Sequence, residues 1–149
     1  MLIIDSREKS KLFKLVVSKA TAMNIPYEQK WIEIGDYVFD DVCFEAKSTT
    51  DFLGSVLSKR MWTQLDNMDR HYKTNIVIIH GDMQEAIMNV IDNSPSTMPM
   101  GSRSIMLNNK CLGAIGRITL DTDIKPFWVT SEEEAALIIT AICKMKPIT

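Results

Sequence analysis

Apolar positions along the chain change period several times, and each change marks an element. Residues 2 to 5 (LIID) are a short apolar run ending in Asp, which predicts a buried strand. Ser10 then precedes KLFKLVVSKATAM, where residues 12, 16, 20 and 23 recur at helical spacing. Lys11, Lys14 and Ser18 take the opposite side, and Asn24 and Pro26 end the helix. Residues 27 to 34 (YEQKWIEI) read as extended. Val38–Phe39 and Val42–Ala46 read as a hairpin about Asp40-Asp41. Ser48 and Asp51 have capping-box spacing and open a helical region with a break near Ser58. Its apolar stripe is Leu53, Leu57, Met61, Leu65, Met68 and Tyr72.

Residues 76 to 79 (IVII) predict a strongly buried strand, and a short helix follows over 84 to 92. A Pro- and Gly-containing loop over 93 to 102 comes next, then a helix over 107 to 119 and a strand at 127 to 129. Thr130 or Ser131 caps a last helix. It has Glu132, Glu133 and Glu134 in its first turn and Lys144 and Lys146 at its end, as the helix dipole favours. Helices interleaved with short buried strands predict one α/β domain over residues 1 to 149, with a central sheet covered on both faces.

Composition narrows the class. A hydrophobic content of 46% over 149 residues supports a globular core. No apolar run is long enough to span a membrane, and MLIIDSRE has none of the marks of a signal peptide. Cys43, Cys111 and Cys143 are odd in number and sit in apolar contexts, which suits reduced thiols and an intracellular protein, in the cytoplasm and nucleoid or in a nucleus. The chain carries a net charge of −2, yet its segment 46 to 75 is net positive.

The unusual chemistry lies in GDYVFDDVCFEAKSTTD, Gly35 to Asp51. Residues two apart on a strand share a side, so Glu45 and Lys47 project together while Phe44 and Ala46 face the other way. Asp36 enters the neighbouring strand and can converge on them. Two carboxylates beside a lysine suit a hard divalent cation, Mg²⁺ or Mn²⁺. Such an ion activates a water and neutralises phosphate charge, and the lysine assists the transition state. The competing reading is a charged hairpin on a solvent-facing edge.

This segment resembles the GD…ERKxxxD signature of the XPF-type structure-specific endonucleases, with their archaeal Hef and FANCM relatives. IIDSRE is similar to that family's opening VDxRE strand. SVLSKRMWTQLDNMDRHYKTNIVII and LGAIGRITLDTDIKPFWVTSEEEAALIITAIC resemble later segments in the same order. The resemblance implies a restriction-endonuclease-like fold, a central mixed β-sheet flanked by helices on both faces. It implies a metal-dependent endonuclease cutting branched, flap or fork DNA in repair, recombination or replication.

It further implies Asp36 and Glu45 as metal ligands, with the Ala46 carbonyl as a backbone ligand, and Lys47 as the catalytic lysine. Asp5 is a further acid at the centre, with Arg7 and Glu8 buttressing it. Asp51 matches the last acid of the signature or acts only as a helix cap. Arg60 and Gln64 share a helix face with Asn67 and His71 and would meet phosphates, as Arg7 would. Two departures stand out: Ala46 replaces the middle arginine of ERK, and no C-terminal helix-hairpin-helix module is legible. A homodimer through the C-terminal third is expected, because Gly113, Ala114 and Gly116 look too small for a core and the last helix has a wide apolar band. A separate DNA-binding partner is a further expectation. Two other readings share these residues: a non-catalytic nuclease-fold subunit, and a PD-(D/E)xK nuclease with another DNA substrate.

Overall fold

The computed structural model describes residues 1–145. The chain begins with β1 (Leu2–Asp5), α1 (Lys11–Ala22), β2 (Tyr27–Lys30), β3 (Tyr37–Phe39) and β4 (Val42–Ser48). It continues through α2 (Thr49–Leu57), α3 (Arg60–His71), β5 (Thr74–His80), α4 (Met83–Asn93), α5 (Met100–Asp121), β6 (Lys125–Val129) and α6 (Glu132–Lys144). The strands form one sheet in the order β2-β1-β3-β4-β5-β6. β1 pairs antiparallel with β3 and β3 antiparallel with β4, while the β1–β2, β4–β5 and β5–β6 pairs are parallel. The expected mixed sheet with helices on both faces is what forms.

Strand alternation divides the core in two. Leu2, Ile4, Tyr37, Phe44, Ile76 and Ile78 face α1 and α6, where they meet Leu12, Val16, Ala20, Ala135, Ala136 and Ile139. Cys43, Val77 and Ile79 face α2 to α5, with Phe52, Leu53, Met61, Leu65, Ile87, Leu107 and Ile118 over them. Burial of this kind supplies most of the folding free energy, about 25 cal/mol per Å² of apolar surface removed from water.

Local signals explain most boundaries. Ser10, Ser48 and Ser131 cap α1, α2 and α6, accepting hydrogen bonds from the amides of Phe13, Asp51 and Glu134. Ser131, rather than Thr130, is therefore the cap. The helical region after Ser48 does break at Ser58, where Lys59 takes a left-handed conformation (φ 64). The predicted stripe is thus shared by two helices, and Leu57 at the break is left exposed.

Four expectations need correction. Residues 31–34 are not strand: β1 ends at Asp5, opposite Lys30, so nothing remains for them to pair with. The loop over 93–102 is shorter, because α5 already starts at Met100 behind Pro99, and Arg103 Nη1 ties its first turns to the carbonyls of Ile91 and Ser94. Ala114 is not surplus small-residue surface. It is 6% exposed inside the core, whereas a Cβ added at Gly113 or Gly116 would meet only open space. The wide apolar band of α6 is largely used within the chain, because the helix packs on both the sheet and α1; Leu137 and Met145 remain exposed. Lys146 lies outside the described residues. No helix among the described residues is long and apolar enough to cross a membrane.

Candidate functional site

Gly35 sets up the site. Its φ of +92 is open to glycine and strained for other residues, and a Cβ there would collide with Cys43 Sγ. The chain thereby turns into β3 with Asp36 fixed against β4. The Asp36 amide donates to the Phe44 carbonyl (3.0 Å), and the Ala46 amide donates back to Asp36 Oδ2 (2.9 Å). Glu45 lies between those two residues on β4, on the face of Cys43 and Lys47 and opposite the buried Phe44. Lys47 Nζ is 3.4 Å from Glu45 Oε1, and both side chains are largely covered. From the other side, the Asp5 amide donates to the Asp36 carbonyl (2.9 Å), which brings the end of β1 to the same place.

Asp5, Arg7, Asp36, Glu45, Gln64 and Asn67 line one cavity of about 320 Å³, with Glu33 to Gly35 and Met68 completing its wall. Two somewhat larger clefts, each of about 400 Å³, lie elsewhere. One contains Lys11, His80, Asp82 and Glu132, and the other runs between Trp62 and Leu120. Both are lined by acidic residues, among them the exposed Asp66, Asp69, Asp121 and Asp123 of the second. Neither has two largely covered carboxylates with a lysine paired to one of them, and that arrangement rather than size singles out the smaller cavity.

The electrostatics of the cavity are tense. Burial, followed by the charge of Glu45, pushes the Asp36 carboxyl well above the usual carboxylate range; the Ala46 amide and Lys47 only partly oppose this. Burial also raises Glu45, against the pull of Lys47. Asp5 goes the other way. Its coverage raises the pKa, but hydrogen bonds from Arg7 and the Ile32 amide outweigh that and hold it low. Although 5% exposed, Asp5 is a shallow group, covered by its immediate neighbours, chiefly the Arg7 fork. Glu8 is raised by burial, with Asp5 adding to the effect and a hydrogen bond from Ser10 opposing it.

The candidates named from sequence therefore separate. Asp5, Asp36, Glu45 and Lys47 converge, and Arg7 does buttress Asp5, with Nη2 at 2.9 Å. Glu8 supports Asp5 only through its backbone, its amide donating to the Asp5 carbonyl (2.9 Å); its carboxylate accepts from Ser10 and is one more like charge to the cluster. Ala46 contributes its amide to Asp36. Asp51 is exposed in the first turn of α2, where its amide caps on Ser48; it is not among the cavity-lining residues. The Arg60–Gln64–Asn67–His71 stripe divides. Gln64 and Asn67 line the cavity. Arg60 is exposed at the start of α3 with Nε on Ser58 Oγ (3.0 Å), and His71 Nδ1 contacts the Asn67 carbonyl. Glu33 was not anticipated. It lies in the segment read as extended, which forms no strand beyond Lys30, and only the turn into Gly35 brings it to the cavity wall.

The donor set can be tested against a divalent cation. Among the described residues, no three His, Cys, Asp or Glu side chains are grouped to enclose an ion unaided. Of the four carboxylates on the cavity wall, Asp5 is engaged by Arg7 and Glu33 is exposed, which leaves the neighbouring Asp36 and Glu45. Magnesium is commonly held by one or two carboxylates, with waters and substrate phosphate completing its shell. The Gln64 amide oxygen is buried there without a partner, an acceptor available to a bound water. The residues fit such an ion.

The fold, a mixed sheet carrying an acid-acid-lysine cluster on its central strands β3 and β4, is of the restriction-endonuclease-like class. The ERCC4 domain description matches residues 4–142, and the chain belongs to this family of XPF-type nuclease domains. A protein of Methanocaldococcus jannaschii, provisionally named an ATP-dependent RNA helicase, is 31% identical over 148 residues, 99% of this chain and 16% of that protein. The 3'-flap repair endonuclease Xpf of Saccharolobus solfataricus is 26% identical over 141 residues, covering 94% of this chain and 53% of that one. The DNA repair endonuclease XPF of Dictyostelium discoideum is 37% identical over 82 residues, covering 54% of this chain and 8% of the relative. XPF from Aeropyrum pernix, solved in complex with DNA, superposes with a TM-score of 0.75 at 21% identity, over 96% of this chain and 62% of that one. The chain thus spans about half or less of each of these three sequence relatives.

Proposed function

We propose that this domain is a divalent-metal-dependent DNA endonuclease that hydrolyses a phosphodiester near a branch, flap or fork. The single observation behind this reading is the coupling of Asp36 to β4 through the Ala46 amide, beside the Glu45–Lys47 pair. Asp36 and Glu45, with the Ala46 carbonyl, would hold Mg²⁺ or Mn²⁺. Bound there, the ion would activate a water and neutralise charge on the phosphate. Lys47, kept in place by Glu45, would donate to the oxygen on which charge develops. Asp5 would shape the negative field of the cavity, its orientation fixed by Arg7. Gln64 would orient water or phosphate at the cavity wall, and Arg60 would meet a phosphate farther along α3.

The deciding experiment is cleavage of labelled duplex, flap, fork and four-way DNA with Mg²⁺ or Mn²⁺, with and without chelator. Metal-dependent cuts near the junction are expected. Cleavage that persists in chelator overturns the metal assignment. DNA binding without cleavage in either metal favours a non-catalytic subunit, and cutting of plain duplex favours another nuclease substrate.

The same reading includes a second copy of the chain as partner. Leu112 and Leu120 on α5 and Phe127 and Trp128 on the edge strand β6 leave apolar surface uncovered. An isologous contact repeats any introduced charge, so Leu120→Glu, at a position 84% exposed, should turn a dimer into a folded monomer in sedimentation. A wild type that is monomeric at micromolar concentration rules the homodimer out.

A further inference from the structure

We infer that Trp31 is a stacking platform for an unpaired base, placed beside the carboxylate cavity so that the domain distinguishes branched from continuous duplex DNA. This rests on the nuclease reading above and adds to it the group that reads the branch.

Three observations carry it. The first is position: Asp5 pairs with Lys30 in the β1–β2 ladder, so Trp31 follows directly at the end of the sheet where Asp5 enters the cavity. The second is exposure. Trp31 is 62% exposed, while the next residue, Ile32, is 7% exposed and anchors the segment. The third is rigidity. The Arg7 guanidinium carbon lies 5.5 Å from the Trp31 ring centroid, and that guanidinium is itself clamped, with Nε 3.0 Å from Asp5 Oδ2 and Nη2 2.6 Å from the Ile32 carbonyl. Asp5 thus orders Arg7, and Arg7 orders the indole.

A large aromatic held open to water gains nothing for the core. It is preorganised for a flat partner, with a cation beside it for the adjoining phosphate. In continuous duplex both faces of each base are already stacked and the indole has no partner to take. At a fork or flap the unpaired base has a free face. Trp62 also has an arginine near its ring (Arg117, 6.0 Å), but it is half-buried and borders clefts other than the one that holds Asp36 and Glu45.

The test is fluorescence anisotropy in excess chelator, using a labelled fork with unpaired thymines and a matched duplex. Trp31→Ala should weaken fork binding about five- to a hundredfold, the range for losing one base–aromatic stack, and leave duplex binding within about twofold. Trp31→Phe, which keeps an aromatic face, should retain most of the fork affinity. Replacing the unpaired thymines by abasic sites should lower the affinity of wild type but cost Trp31→Ala little more. If Trp31→Ala lowers fork and duplex affinity equally, or if the abasic fork penalises both proteins equally, the stacking role is overturned while the nuclease reading stands. A wild type that binds neither DNA overturns both.

Discussion

Toward α1 and α6 the sheet presents Leu2, Ile4, Tyr37, Phe44, Ile76 and Ile78, an apolar surface on which helices close completely. Toward α2 to α5 the same side of the sheet presents Cys43, Val77 and Ile79, and then Asp36 and Glu45 where the helical cover opens, with Lys47 buried beside Glu45. The Tyr37 hydroxyl on the first face is buried, and Glu8 is the charged group nearest it. One strand, β4, therefore serves stability with one side and chemistry with the other, and a substitution shifted by one residue should change which property is lost.

The largest effect is expected at the charged side. Asp36→Asn and Glu45→Gln should each remove metal-dependent cleavage while the protein stays folded, and Lys47→Ala should lose roughly 10²–10³-fold in rate while metal binding remains. Labelled-fork cleavage paired with thermal melting measures both properties; a wild-type turnover rate for Glu45→Gln would break the contrast between the faces. One position away, Phe44→Ala should cost about 3–5 kcal/mol of stability. That corresponds to a melting temperature lowered by roughly 10 °C in a domain of this size. Its activity per folded molecule should persist at low temperature, and a catalytic defect as deep as that of Glu45→Gln would mean the two faces are not separable.

The faces should also differ in pH response. Asp36 and Glu45 have folded-state pKa values raised above their unfolded ones. Their contribution is therefore most favourable below the ordinary carboxylate pKa of about 4 and is lost as pH rises through the folded values. Asp5, held low by Arg7, has the opposite sign: its contribution is present above the ordinary value and declines as pH falls. Urea unfolding of the metal-free protein should show wild type losing stability relative to Asp36→Asn between mildly acidic and neutral pH. Saturating Mg²⁺ should narrow that gap, since a ligand of the native state stabilises it. Parallel pH profiles for the two proteins would remove the charge repulsion from the account.

The smallest effects separate two residues on one helix. Arg60→Ala should reduce the salt dependence of DNA binding by about one counterion across all sequences. Gln64→Ala, inside the cavity, should leave the salt slope unchanged and affect turnover instead. Coincident slopes for wild type and Arg60→Ala would leave Arg60 simply solvated.

Much of this was legible along the chain because it depends on near neighbours. The strand at 76–79, the serine caps and the helix break at Ser58 follow from local hydrogen bonding and apolar spacing. So does the projection of Glu45 with Lys47, because strand alternation is local. Contacts between distant segments were not legible in the same way. Ala114 looked like interface surface until α5 was packed over the sheet, because burial depends on what lies across from a residue. Glu8 looked like a side-chain support for Asp5, but only its backbone amide reaches that residue, and its carboxylate is another charge near Asp36 and Glu45. Asp51 and Arg60 share their segment with site residues, yet neither reaches the cavity wall. Sequence determined the alternation that puts acid and lysine on one side of β4. Tertiary structure decided which of the neighbouring charges reach them, because the turn at Gly35 and the docking of α3 set distances that no spacing along the chain contains.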